Sequence, residues 1–169
     1  MEWLVILIIL AVVAIIVVAG ISGANKTKEL LASGKIIQRP YGFHEQQETF
    51  SVHGADITRI IEDIKNSDLG GASATKVEGK QLIVFKHATG WTAQLYKAKD
   101  PEEGPAEPDL TTWIFNFTHW KKDNSMVAGL QQMNILTTSI EKMFLAIDPK
   151  TQVTTSQMAV KTTTKTKFF

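Results

Sequence analysis

Residues 110–120, Leu-Thr-Thr-Trp-Ile-Phe-Asn-Phe-Thr-His-Trp, read as one long strand. Trp113, Phe115 and Phe117 alternate with Ile114, Asn116 and Thr118, the two-residue period that sends side chains to opposite faces of a sheet. The aromatic face must be covered, which predicts a helical layer on that side. The other face is polar enough to stay open to solvent.

Upstream, Trp91 to Ala98 repeats the pattern, with Trp91, Ala93 and Leu95 on one side. Leu82-Ile83-Val84-Phe85, within Gln81 to His87, is a continuous apolar run. It predicts burial on both faces or a central position in the sheet. Thr89-Gly90 turns the chain between these two strands. Before them, Gly79-Lys80 is expected as a two-residue turn with Gly at positive φ, and Ala74 to Glu78 as a short polar edge strand. Gly54 to Asp68 is helical by spacing, since Ile57, Ile60, Ile61 and Ile64 form one stripe. Asp56 lies near its start and Gly70-Gly71 past its end, as helix dipole and capping preferences require. A first strand covers Glu45 to Val52, with Glu48, Phe50 and Val52 on one side.

Downstream, Lys121 to Ser125 is a turn, and Met126 to Ile147 is predicted as the main helix. Met126, Leu130, Met133, Ile140, Phe144 and Ile147 follow the three-four spacing. Its polar residues, Gln131-Gln132, Asn134 and Thr137-Thr138-Ser139, read as a solvent side, in preference to the lining of a pocket between helix and sheet. Asp148-Pro149 ends the helix, and Thr151 to Val160 is a last strand. Lys99 to Asp109, with three prolines and four acids before Asp109, is an acidic loop.

The order β-α-β-β-β-β-α-β predicts an α+β domain: an antiparallel sheet of about five to six strands with two helices on one face. The layout is similar to helix-grip lipid-binding domains, in which a long C-terminal helix crosses a curved sheet. It departs from them in the strand after that helix and in having one early helix. That resemblance concerns shape, and function does not follow from shape.

At the other end of the chain, Trp3 to Ile21 is an uncharged apolar run. At about 1.5 Å per residue it spans roughly the 30 Å core of a bilayer. It predicts a transmembrane anchor helix over 1–24, with Trp3, Leu4, Ile6, Ile8, Val12, Ile15, Val18 and Ile21 among lipid. A juxtamembrane linker follows at 25–44, then a soluble domain at 45–161 and a basic tail at 162–169. The competing reading is a cleaved signal peptide, with Ser22-Gly23-Ala24 as the small-residue cut site and a secreted product. No Lys or Arg precedes the run and it exceeds the usual signal core, which favours the anchor. Lys26, Lys28, Lys35 and Arg39 follow it within the topology-setting window and place the domain in the cytoplasm, beside the inner leaflet.

Composition narrows the chemistry. The chain carries +1 overall, and Glu2 is the sole charged side chain before Lys26, so the remainder, with 18 basic and 16 acidic residues, carries +2. Such a balance, and an aromatic strand without interleaved basic residues, points away from nucleic acid. The absence of cysteine excludes thiol catalysis, disulfides and Cys-rich zinc sites. There is no phosphate-binding loop, dinucleotide fingerprint, nucleophile elbow or zinc-binding helix. His44, His53, His87 and His119 lie on separate elements. No catalytic, metal or cofactor residue is predicted. The leading expectation is a non-enzymatic protein-binding or scaffold module at the membrane, with membrane lipid around the anchor and self-association left open. The alternative is a carrier or sensor of an apolar ligand held between the long helix and the aromatic strand, touching Trp113, Phe115, Phe117, Met133 and Phe144.

Overall fold

The computed structural model describes residues 24–98, 109–123 and 126–158. The expected anchor, most of the acidic loop and the basic tail lie outside them. Among the described residues no helix is long and apolar enough to cross a membrane. The chain forms two compact units, Met1–Gln38 and Arg39–Phe169. In the first, helix α1 occupies 24–32. It stops where Gly34 takes φ +68°. The Gly34 amide bonds the Leu31 carbonyl at 3.0 Å and the Lys35 amide bonds that of Leu30 at 2.9 Å, the paired closure that satisfies a helix's last carbonyls.

The second unit is an α+β domain. Its strands are β1 (Gln46–His53), β2 (Ser73–Lys76), β3 (Leu82–Lys86), β4 (Thr92–Lys97), β5 (Leu110–His119), β6 (Lys122–Asp123), β7 (Met126–Val127) and β8 (Gln152–Gln157). Helix α2 (Ile57–Lys65) follows β1, and α3 (Leu130–Ile147) precedes β8. Six strands form one antiparallel sheet in the order β2-β3-β4-β5-β1-β8. The chain order of elements is the expected one, with the β6–β7 hairpin added before α3.

Both helices bury their apolar stripes on one face. Ile57, Ile60 and Ile64 of α2, and Met133, Leu136, Ile140 and Phe144 of α3, join Phe50, Val52, Phe85, Leu95, Trp113, Phe115 and Phe117 in one core. Phe144 stacks on Phe50 with ring centroids 4.5 Å apart. Asp56 starts α2, its carboxylate accepting from the amides of Thr58 and Arg59 at 2.7 and 2.9 Å, which satisfies two of the orphan donors of the first turn.

Three local readings are corrected. Met126 and Val127 are not helical. They pair with Lys122 and Asp123 in the β6–β7 hairpin, which leaves Met126 exposed and Val127 buried. Helix α3 begins only after Gly129, whose φ is +79° and whose missing Cβ would lie 2.5 Å from Thr89 Oγ1 and 2.9 Å from Trp91 Nε1. The chain turns there against the β3–β4 hairpin in a space that admits no side chain. The β2–β3 turn is not centred on Gly79-Lys80. The Lys80 amide bonds the Val77 carbonyl, so Glu78 and Gly79 are the central pair. Of the two readings of β3, the inner position holds, since it pairs with β2 and β4, but burial on both faces does not: only Ile83 and Phe85 are buried, and Leu82 and Val84 are half-buried, because the helices cover one side of the sheet.

Candidate functional site

The second compact unit begins at Arg39, which completes a cluster of charges with β1 and α3. Glu48 lies on the core side of β1, between the helical layer and the sheet. Asn134, Thr138 and Glu141 recur at helical spacing on α3, facing β1. Arg39 joins them. Its Nη1 donates to Glu48 Oε1 at 3.0 Å, its Nη2 to Glu141 Oε2 at 2.5 Å, and its Nε to Asn134 Oδ1 at 3.0 Å. Thr138 Oγ1 donates to the same Asn134 oxygen at 3.2 Å. The Arg39 guanidinium also lies 5.7 Å from the centre of the Phe43 ring. Arg39 and Glu48 side chains are each 9% exposed, and Glu141 19%.

One cation between two carboxylates neutralises only one of them. Burial, followed by the Glu141 charge, pushes Glu48 up to about 7, against the opposing pull of Arg39. Glu48 Oε2 is buried with no hydrogen-bond partner as an acceptor. The neighbouring Glu141 carboxyl adds to the upward push, and a protonated carboxyl can donate where a carboxylate only accepts.

His44 lies in the short 3-10 turn Phe43–Glu45 and is buried, with neither ring nitrogen hydrogen-bonded. The Trp120 ring meets it edge-on at 4.9 Å, and Phe43 and Tyr41 do so at 6.0 and 6.4 Å. Burial holds its pKa below the usual imidazole value, with Glu45 opposing.

The opposite sheet face carries no helix of this unit among the described residues. Cross-strand register aligns Thr75, Val84, Gln94, Asn116, Gln47 and Ser156 in one row across all six strands. A second row runs Leu82, Tyr96, Ile114, Thr49 and Thr154. The surface therefore has a carboxamide centre, Gln94–Asn116–Gln47, beside an apolar strip, Leu82–Tyr96–Ile114. Around that centre Val84, Tyr96, Ile114 and Thr49 are half-buried, and Thr75 and Thr118 are exposed.

The expected site residues divide. Trp3, Leu4, Ile6, Ile8, Val12, Ile15, Val18 and Ile21 lie outside the described residues. Lys26 and Lys28 are exposed on α1, and Lys35 is exposed beyond it. Arg39, expected to flank the inner leaflet, has its guanidinium engaged by Glu48, Glu141 and Asn134. Trp113, Phe115, Phe117, Met133 and Phe144 are brought together, each at most 3% exposed, as core. Two clefts of about 330 and 430 Å³, one between α2 and α3 and one beside α2 and β2, are lined by other residues and hold no histidine. His53 pairs with Asp148 at 2.9 Å, and His87 with Thr89 and the Trp91 ring. Among the described residues no group of three or more His, Asp or Glu is placed to hold a metal.

Asn134 and Thr138 belong to the polar run read as a solvent side of the main helix, yet Thr138 is 2% exposed. The signal for the cluster is Glu48, a charged residue at a core position of an alternating strand, which demands a buried partner. No protein-family model, no curated protein and no solved structure matches the chain.

Proposed function

We propose that this chain is a single-pass, membrane-anchored module whose domain faces the cytoplasm and binds a protein partner, without catalysing a reaction. The observation that carries the binding part is the helix-free sheet face. Gln94 and Gln47 carry carboxamides on it in fixed register, whereas Asn116 between them has its amide engaged by Met158 Sδ and its Oδ1 buried, and the adjacent Leu82–Tyr96–Ile114 strip adds apolar contact area. The anchor rests on the apolar run Trp3 to Ile21 and the basic residues after it.

A photo-crosslinking amino acid at Gln94, on the open face, tests the reading against the same probe at Lys142, on the helical layer. In membranes carrying the full chain, a discrete protein adduct from Gln94 but not from Lys142 is the expected result. Lipid adducts alone, or none, at Gln94 overturn it. Single cysteines at Ser33 and Thr112, labelled in intact cells with a membrane-impermeant thiol reagent, test the orientation. Protection until permeabilisation is expected, and labelling in intact cells reverses the topology.

A further inference from the structure

We propose that β8 is a self-pairing edge, through which two copies of this chain join antiparallel into one continuous sheet. The inference rests on the edge itself and does not depend on the membrane reading.

All six residues of β8, Gln152 to Gln157, are exposed. Register puts Val153 beside Phe50 and Thr155 beside Glu48, on the helix side of the sheet, yet the helical layer stops over β1. Among the described residues the strand therefore overhangs the core and pairs with β1 alone. The bonding pattern fixes which groups it leaves unpaired. The Met158 amide donates to the Glu45 carbonyl at 3.1 Å, so alternate residues Ser156, Thr154 and Gln152 point their amides and carbonyls at β1. Those of Val153, Thr155 and Gln157 point away from the sheet.

Sheet edges are normally blunted by charge, proline, a bulge or brevity. The opposite edge, β2, has four residues and carries Lys76. The β8 sequence Gln-Val-Thr-Thr-Ser-Gln has no charge and no proline, and its register with β1 is unbroken. An uncharged strand sets no like charges opposite each other when it meets its own copy, and it offers no charge by which to select a foreign strand. Two-fold pairing requires facing residues of equal parity. An axis through Thr155 satisfies this and uses all three outward residues of each copy, setting Thr155 against Thr155 and Val153 against Gln157. An axis through Thr154 uses only Val153 and Thr155. The structure thus favours the Thr155 axis, with facing threonines a favourable cross-strand pair.

The chain has no cysteine, so a single Thr155→Cys reports the contact directly. Facing residues of a hydrogen-bonded pair have Cα atoms about 5.5 Å apart, within disulfide range. Full-length T155C in non-ionic detergent, under mild oxidation, is expected to give a disulfide dimer at least about tenfold faster than K80C in the exposed β2–β3 turn. Adding Val153→Pro removes an outward amide without touching the pairing to β1, and is expected to return the rate to that of K80C. Val153→Lys serves the same end should the proline variant lose its circular dichroism signal. Equal rates for T155C and K80C overturn the proposal. So does a fast T155C rate that persists in a folded V153P or V153K background.

Discussion

Arg39 Nη1 stands 3.0 Å from Glu48 Oε1, and both side chains are 9% exposed. The pair ties the first residue of the folded unit to the core side of β1, and Glu141 extends the tie to α3. A buried cation held this way is a strong constraint, since removing it leaves two carboxyl groups desolvated and facing each other.

Arg39→Met is therefore expected to destabilise the domain by about 3–5 kcal/mol at neutral pH, read as a fall in the urea midpoint. Adding Glu48→Gln and Glu141→Gln to that variant is expected to recover most of the loss, because no buried charge then remains uncompensated. A triple variant as unstable as the single one would show that Arg39 acts through packing.

The raised Glu48 titration sets a sign for the pH dependence. The unfolded side chain ionises near 4.5, whereas the folded one keeps its proton to about 7. The contribution of Glu48 to stability is thus fully present below 4.5 and is lost as pH rises to about 7. Glu48→Gln does not titrate. Its stability relative to wild type is expected to rise across that window by on the order of 3 kcal/mol, measured by urea unfolding at each end. A constant difference would place the proton elsewhere.

His44 has the opposite sign. Its folded pKa lies below the ordinary imidazole value of 6.5 because burial disfavours the imidazolium. Its contribution is present above 6.5 and is lost as pH falls through the folded value. His44→Phe keeps a ring among Trp120, Phe43 and Tyr41, and is expected to remove that acid-side loss in thermal unfolding curves. Just below 6.5 the two groups therefore oppose each other, Glu48 gaining and His44 losing stability as pH falls.

Gly129→Ala is expected to cost well over 1 kcal/mol, since it meets both a positive φ and atoms at 2.5 and 2.9 Å. Gly79→Ala, also at positive φ but with nothing within 4 Å, is expected to cost about 1 kcal/mol. Thermal midpoints of the two variants separate backbone strain from steric exclusion.

Much of this fold is legible in single strands and helices. The alternation in Trp113-Ile-Phe-Asn-Phe117 assigned β5 and its buried face, and the isoleucine spacing assigned α2. Periodicity suffices there because one covered face imposes a period of two on a strand and about 3.6 on a helix. Met126 and Val127 escaped it. Two apolar residues fit a helical stripe as well as a hairpin, and Gly129 packing against Thr89 and Trp91 decided between them.

The amino-acid sequence by itself determined the element order, the core side of each long strand and the helix-free polar face, because local spacing against a buried layer dictates these. It also carries the apolar N-terminal run on which the anchor proposal rests. Only the tertiary structure decided that Arg39, Glu48, Asn134 and Glu141 meet, and that β8 lies at the edge beside β1 with its outer groups unpaired. Both depend on contacts between residues roughly 100 positions apart, and a buried charge reveals its need for a partner without revealing which partner it finds.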